Sequence, residues 1–495
     1  MAMGLPRLAH HPLLIEINAR VRLSGLARTL GRHATLDDVT DLELDALAAS
    51  GFDIVWLMGV WQTGEAGRAV SATDDAAVAY YRRALPDFQI SDISGSPFAV
   101  RECRVHADFG GNDALARLRT RMRERGLRLM LDFVPNHVAL DHPWVAEHPD
   151  FFIVGDEQRL RREPGNWRRV ATPAGERILA LGRDPFFPGW RDTLQLNWAN
   201  PALQDAMLGE LRRVAGQCDG VRCDMAMLVI PEVFRRTWGL DPQPFWPRAT
   251  RAIHDAHPEF RFLAEVYWAL EPTLLEQGFD YAYDKLLYDL LREQRAASVR
   301  EHLRSQPLLD HLAHFLENHD EPRSAEVFEP AVHRAAAVIT YFAPGMRFFH
   351  AGQREGRRLR LPVQLARAPD EATDDELAAF YNRLFACLAR PVFRDGEWQL
   401  LDTAPAWDGN VTNADFVACA WTGDERMLVV VNYAPHQSQA YVEFSWADED
   451  ARPWRLTDEM GDAQFERDAG DLAEHGLYLD VGPWEYHVFK VERLD

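Results

Sequence analysis

The feature that most constrains this 495-residue chain is an alternation repeated eight times. Short apolar runs stand at Leu13–Asn18, Ile54–Val60, Leu127–Phe133, Gly220–Asp224, Phe260–Glu265, Phe279–Tyr283, Leu312–Glu317 and Met346–His350. Between most of them lie longer segments of helical period, such as Asp113–Arg125, Pro201–Ala215, Pro231–Ala256, Lys285–Leu303 and Ala331–Phe342. A strand, a helix and another strand in repeated order require a parallel sheet, because each crossover returns the chain to the same edge. Eight such units close into a (β/α)₈ barrel. An open, doubly wound sheet is the competing arrangement.

Two insertions interrupt the alternation, from Trp61 to about Asp108 and from Val138 to about Asn200. Both leave the C-terminal end of a strand, the end at which a barrel builds its site. From about residue 391 the texture changes to short alternating runs without long helices, at Met427–Asn432, Ala440–Phe444 and Tyr486–Val491. The expected fold class is therefore α/β. A (β/α)₈ TIM barrel spans 1–137 and 201–390, an inserted domain after strand 3 spans 138–200, and a C-terminal antiparallel β-sandwich spans 391–495. Trp398, Trp421, Trp446 and Trp484 are read as packing residues of that last unit rather than as a ligand-binding platform.

The ends of the runs are acidic. They read Asp132 to His137, Gly220 to Asp224, Ala264 to Trp268 and Glu317 to Asp320. A barrel gathers Asp224, Glu265 and Asp320, with Arg222, His137 and His319, at one mouth. Each of these is a common structural residue taken alone; four acid-bearing ends in barrel order are not a common structural pattern. Glycoside cleavage uses such a set: one carboxylate attacks the anomeric carbon and a second, protonated, gives a proton to the leaving oxygen. Crowded carboxylates push their pKa values apart, so that one stays protonated. Arg222 lies two residues before Asp224, on the same side of a strand, and is expected to hold that carboxylate ionised.

Composition narrows the partners. A formal charge of −22 repels nucleic acid and anionic membrane, so a neutral oligosaccharide fits better. Nearly all bases are arginine; Lys285 and Lys490 are the lysines. The five cysteines, Cys103, Cys218, Cys223, Cys387 and Cys419, form no disulfide framework and no zinc spacing. The N-terminal stretch lacks a signal-peptide pattern, and no run is long enough to span a bilayer, so a cytoplasmic protein is expected.

At this point the sequence resembles the α-amylase family, glycoside hydrolase family 13, over about residues 12–390. The motifs DFVPNH, GVRCD, EVYW and ENHD stand in the family's order, with Gln195-Leu196-Asn197 as a further match. GFDIVWL at 51–57 and PGMRFFHAGQREG at 344–356 are similar to the family's second and eighth strands. The resemblance implies Asp224 as nucleophile, Glu265 as proton donor and Asp320 as transition-state stabiliser. It implies that Arg222, His137 and His319 grip the sugar whose bond breaks. Phe98 is either the aromatic platform under that sugar or a core ring, and Trp268 either stacks on a leaving-side sugar or packs. Met227 and Leu228 stand where many endo-acting amylases have Lys-His, which argues against a starch endo-amylase. Asn136 matches a calcium-ligating position; no full ligand set is readable, so no metal or other cofactor is assigned. The expected activity is retaining hydrolysis of α-glucosidic bonds in small saccharides. The alternatives are a transglycosylase using the same intermediate and, in another class, a non-catalytic binding or scaffold homologue. Oligomeric state, endo or exo action and the sugar itself are left open.

Overall fold

The computed structural model describes residues 5–173, 175–444, 446 and 452–494. Residues 1–4, where the N-terminal stretch begins, lie outside the described part. Eight parallel strands close a barrel in chain order: β1 (Leu13–Asn18), β2 (Ile54–Met58), β3 (Arg128–Phe133), β4 (Gly220–Cys223), β5 (Arg261–Ala264), β6 (Tyr281–Tyr283), β7 (Leu312–His314) and β8 (Met346–His350), with β8 paired back to β1. The open doubly wound alternative is thereby excluded.

Alternation within each strand divides the apolar residues into two sets. Leu14, Ile54, Trp56, Met130, Leu263 and Phe348 fill the interior. Leu13, Val55, Leu129, Val221 and Phe262 face the surrounding helices. Several strands are shorter than their apolar runs. Asp224 and Glu265 lie just beyond the ends of β4 and β5, yet their amides still bond to the neighbouring strands, Asp224 to the Phe133 carbonyl at 2.9 Å and Glu265 to the Cys223 carbonyl at 3.1 Å.

The helix at Pro201–Ala215 starts where its sequence signals place it: Asn200 accepts from the Ala202 amide at 2.9 Å and proline occupies the first turn. Two expected helices are each broken in two. Pro231–Ala256 resolves into Pro231–Trp238 and Trp246–His254, separated at Gly239, which adopts φ 70°. Lys285–Leu303 resolves into Lys285–Arg292 and Ala296–Ser305, with Gln294 at φ 54° between them.

The insertion after β3 is anchored to the barrel rim by a short antiparallel pair, His137–Ala139 with Thr193–Gln195. A hairpin of Trp167–Thr172 and Gly175–Ala180 builds its outer part. At the C-terminus a six-stranded antiparallel sheet faces a three-stranded one. Phe416, Ala418, Leu428, Val430 and Phe489 fill the space between the two sheets. The opposite face of the larger sheet, with Val417, Cys419, Trp421, Val429 and Val488, joins the core of the barrel. Trp446 and Trp421 are buried, and Trp398 and Trp484 are partly buried against the same core. No described helix is long and apolar enough to cross a membrane.

Candidate active site

Along the barrel axis the inward-facing positions turn from apolar to charged. Leu14 is followed on β1 by Glu16, Met130 on β3 by Asp132, and Gly220 on β4 by Arg222, and the three charged residues are buried. Burying charge is costly unless it is paired, so these residues must satisfy one another.

Arg222 is the hub of this arrangement. Its guanidinium donates to Asp224 Oδ1 from Nη1 at 2.8 Å, to Glu265 Oε2 from Nη2 at 2.6 Å, and to the Tyr283 hydroxyl from Nε at 3.2 Å. The rings of Trp56, Phe98 and Tyr283 surround it, with centroids 5.1, 5.3 and 5.8 Å from Cζ. A planar fork enclosed by rings can move little, so the two carboxylates it bridges are held in fixed relation.

Glu265 accepts two further bonds, from the Met225 amide to Oε2 at 2.7 Å and from the Tyr267 hydroxyl to Oε1 at 2.9 Å. Met225 adopts φ 43°, a left-handed conformation that costs a non-glycine residue about 1–2 kcal/mol, and in that conformation its amide points at the carboxylate. Burial lifts the Glu265 carboxyl to about 7; Arg222 opposes this, and Asp224 and Asp320 add to it. Burial also lifts Asp224 above its ordinary range and Arg222 again opposes. Arg222, by its charge and its hydrogen bond, works in the expected direction and favours the ionised form of Asp224 against that burial.

Asp320 behaves differently. Its side chain is 48% exposed at the mouth and lies 2.9 Å from His319 Nε2, a charge contact outside hydrogen-bond geometry. Enclosure pushes this carboxyl up, but His319 pushes it further down, to about 2. The other imidazole nitrogen, Nδ1, lies 2.6 Å from Glu16 Oε1. Burial disfavours charge on His319, yet Asp320 and Glu16 together raise its pKa well above the usual value. The ring of Phe98 lies 5.2 Å from that of His319, so Phe98 is at the site as well as part of the packing around it.

Asp132 accepts from Trp56 Nε1 at 3.0 Å and from the Gly59 amide at 2.7 Å, and burial lifts it to about 6 against the pull of Arg222. Gly59 is required there: it sits at φ 80°, and a Cβ would come within 2.8 Å of Pro97. His137 is buried on the rim, its ring 4.9 Å from that of Trp190, and burial pushes it down to about 3, which leaves a neutral imidazole. Trp268 is 40% exposed, with φ 64°, and its ring meets that of Phe186 edge-on at 5.0 Å. No hydrogen bond or ring contact joins His137 or Trp268 to the three acids; they flank the mouth. Met227 and Leu228 are buried in a short turn and present nothing to a groove. Asn136 is a hydrogen-bonding residue of the barrel rim: its side-chain oxygen and its carbonyl both accept from Gln195 Nε2, each at 3.0 Å.

Three participants escape a reading of acid-bearing motifs: Glu16, Tyr267 and Tyr283. The signal for Glu16 was present as a lone acid in the apolar run LLIEIN. Tyr267 lies two residues after Glu265. Tyr283 had no local signal, since a tyrosine closing an apolar strand is ordinary packing.

The chain and its fold are similar to those of known proteins. The family model described as the α-amylase catalytic domain matches residues 101–375. An α-amylase, MalA, of Haloarcula japonica is 25% identical over 340 residues, which is 66% of this chain and 42% of the relative. An α-1,4-glucan:maltose-1-phosphate maltosyltransferase of Pseudomonas aeruginosa is 26% identical over 262 residues, 51% of this chain and 33% of the relative. The trehalose synthase/amylase TreS of Mycobacterium tuberculosis is 25% identical over 276 residues, 48% of this chain and 44% of the relative. The chain thus spans less than half the length of these relatives. In fold it is similar to a maltogenic α-amylase, AmyB, of Thermotoga neapolitana, with a TM-score of 0.68, 19% identity, and coverage of 98% of this chain and 99% of that one.

Proposed function

The chain belongs to the α-amylase family, and from that premise we propose that it is a retaining glycoside hydrolase acting on α-glucosidic bonds of small oligosaccharides. Asp224 is the nucleophile, Glu265 the general acid and base, and Asp320 the carboxylate that stabilises the transition state. Arg222, His319, His137 and Phe98 hold the sugar whose bond is cleaved, and Trp268 receives the leaving-side sugar. The catalytic barrel comprises 1–137 and 201–390, the inserted domain 138–200 and the C-terminal domain 391–495.

The observation that carries this reading is the shared guanidinium, bonded at once to Asp224 and Glu265. A fork of fixed width favours the short carboxyl spacing of a retaining site, about 5–5.5 Å, over the ~6.5–9.5 Å that leaves room for an attacking water. In the first step the Asp224 oxygen bonds to the anomeric carbon while the bond to the leaving oxygen breaks, and Glu265 gives that oxygen its proton. In the second step Glu265 takes a proton from the incoming hydroxyl, which displaces Asp224 and restores it. A protonated Glu265 is available because its carboxyl is lifted to about 7.

Transfer to a sugar hydroxyl is the second reading. It is favoured by the exposed rings of Trp268, three residues after Glu265, and of Phe186, which meets Trp268 edge-on, a surface that suits stacking of an acceptor. Five free cysteines, four of them buried, fit a cytoplasmic setting in which thiols stay reduced.

Incubation of Glu265→Gln with an α-glucosyl fluoride tests the covalent step. Fluoride needs little protonation, so a glycosyl adduct should accumulate and map by peptide mass to Asp224, whereas turnover of a saccharide should fall by about 10²–10⁴. Asp224→Ala should abolish turnover with the fold intact. Wild-type rates in Asp224→Ala, or an adduct on another residue, would overturn the assignment. Chromatography of products at high sugar concentration separates hydrolysis from transfer.

A further inference from the structure

Next to the acids, but on the other side of the mouth, lies a cavity of ≈ 200 Å³. Its floor is formed by Asn18 and Met58 at the ends of β1 and β2, and one wall by His319. The opposite wall is the chain segment after β8 together with the first helix, Ala19–Leu30. Six arginines reach its lining, in a chain that carries 76 acidic residues against 54 basic ones.

Four of the six are neutralised by carboxylates: Arg22 by Glu43, Arg28 by Asp370, Arg323 by Glu317 and Arg367 by Asp92. Among the described residues no carboxylate lies within ion-pair distance of Arg357 or Arg360, and the charge of Arg357 reaches Asp370 only at longer range. The two acids on the lining are already engaged. Asp370 pairs with Arg28, and Glu371 accepts from the amides of Arg358 and Leu359 at 2.8 and 3.1 Å.

Arg357 is also held in place. Its amide donates to the Gly352 carbonyl at 3.0 Å, and its Cδ lies so close to Gly352 that a Cβ there would come within 2.5 Å. Gly352 adopts φ 94°, so the turn and the close approach both require glycine. Arg360 stands nearer the chemistry, where its charge acts on the Asp320 carboxyl. Neither arginine is locked in a close ion pair, although Arg360 acts on Asp320 and Arg357 on Asp370 across a longer gap; with the stem of Arg357 fixed, the two can turn charged donors towards a multivalent anion.

The position of the cavity decides which part of a substrate enters it. Glu265 follows β5, so the leaving group must lie on that side of the mouth. The cavity opens at β8, β1 and β2, and β1 stands four strands from β5 around the barrel. A group in the cavity therefore belongs to the sugar that the enzyme retains.

We propose that this cavity binds a phosphate group carried by the retained sugar, with Arg357 and Arg360 as its ligands. This rests on the glycosidase reading for its sugar but not for its anion. The preferred substrates are then α-glucosides phosphorylated on the non-reducing side, and neutral saccharides are the poorer ones.

Two measurements on the full chain test it separately from that reading. Calorimetric titration with inorganic phosphate should show saturable binding to one site, weakened at least about tenfold in the Arg357→Gln/Arg360→Gln double variant and largely retained in Arg360→Lys. Raising ionic strength from about 0.05 to about 0.5 M should weaken it further. In the second measurement, glucose 6-phosphate should inhibit hydrolysis of 4-nitrophenyl α-glucoside at least about tenfold more strongly than glucose, an advantage that the double variant loses. No phosphate binding, binding unchanged in the double variant, or equal inhibition by the two sugars would each overturn the proposal. Absence of turnover of every α-glucoside would overturn the hydrolase reading alone, with the phosphate titration still deciding this one.

Discussion

Arg222 makes the acidities of Asp224 and Glu265 interdependent, since one buried cation serves both and the two carboxyls titrate as a pair. Glu265 must be protonated for the first step, so kcat/KM should fall as pH rises through about 7. The Tyr267 hydroxyl donates to the ionised carboxylate and so favours the charged form. Tyr267→Phe removes that donor, which should move the basic limb of the kcat/KM profile upward by about one pH unit. An unmoved limb would show that Tyr267 does not act on Glu265. The candidate acids and Arg222 were legible as an ordered set rather than as single residues, because acid-bearing ends recur at Asp224, Glu265 and Asp320 in barrel order. Glu16 and Tyr283 were not, because their role exists only through contacts with residues far away in the chain: His319, at a separation of 303 positions, and Arg222, at 61.

At the level of elements, Asp284 ties three pieces together. It follows β6, caps the helix Lys285–Arg292 by accepting from the Leu287 amide at 3.1 Å, and lies 2.9 Å from His302 and 3.0 Å from His314. Burial pushes this carboxyl up, but the two imidazole contacts push it further down, well below its ordinary value of 3.8. Burial works against charge on His302 too, yet Asp284 raises its pKa above 6.5. A depressed acid contributes stability above its unfolded pKa and loses it as pH falls through the folded one; a raised histidine contributes below its unfolded pKa and loses it as pH rises through the folded one. The cluster therefore stabilises most between about pH 4 and 6.5. Asp284→Ala should cost about 3–5 kcal/mol in denaturant unfolding at pH 5.5, a loss that shrinks below pH 4. The strand and helix alternation was readable from periodicity. The break inside Pro231–Ala256 was marked by Gly239, Pro242 and Pro244, which end a helix and which a reading by period alone passed over; the break inside Lys285–Leu303, at Gln294 with φ 54°, had no such signal.

Over the whole molecule, the barrel and the C-terminal sheets share one core. Trp421 is fully buried between them, donates from Nε1 to the Phe342 carbonyl at 2.9 Å, and packs edge-on against His11 and Phe393. An apolar junction of this kind couples the two parts, so calorimetry should record a single unfolding transition. Trp421→Ala should destabilise both parts together by about 3–5 kcal/mol; two separate transitions in the unmutated protein would show that they unfold independently. The change in texture near residue 391 made this unit legible in sequence, whereas its burial on two faces was hidden by the short length of its strands. Closure of the barrel has a consequence for synthesis as well. Strand β1 pairs with β8, and Glu16, near the start of the chain, bonds to His319. A nascent polypeptide cannot complete this ring until its eighth strand has left the ribosome, so chains terminated early should be inert rather than partly active, and those ending before His319 lack the partner of the buried acid in the first strand.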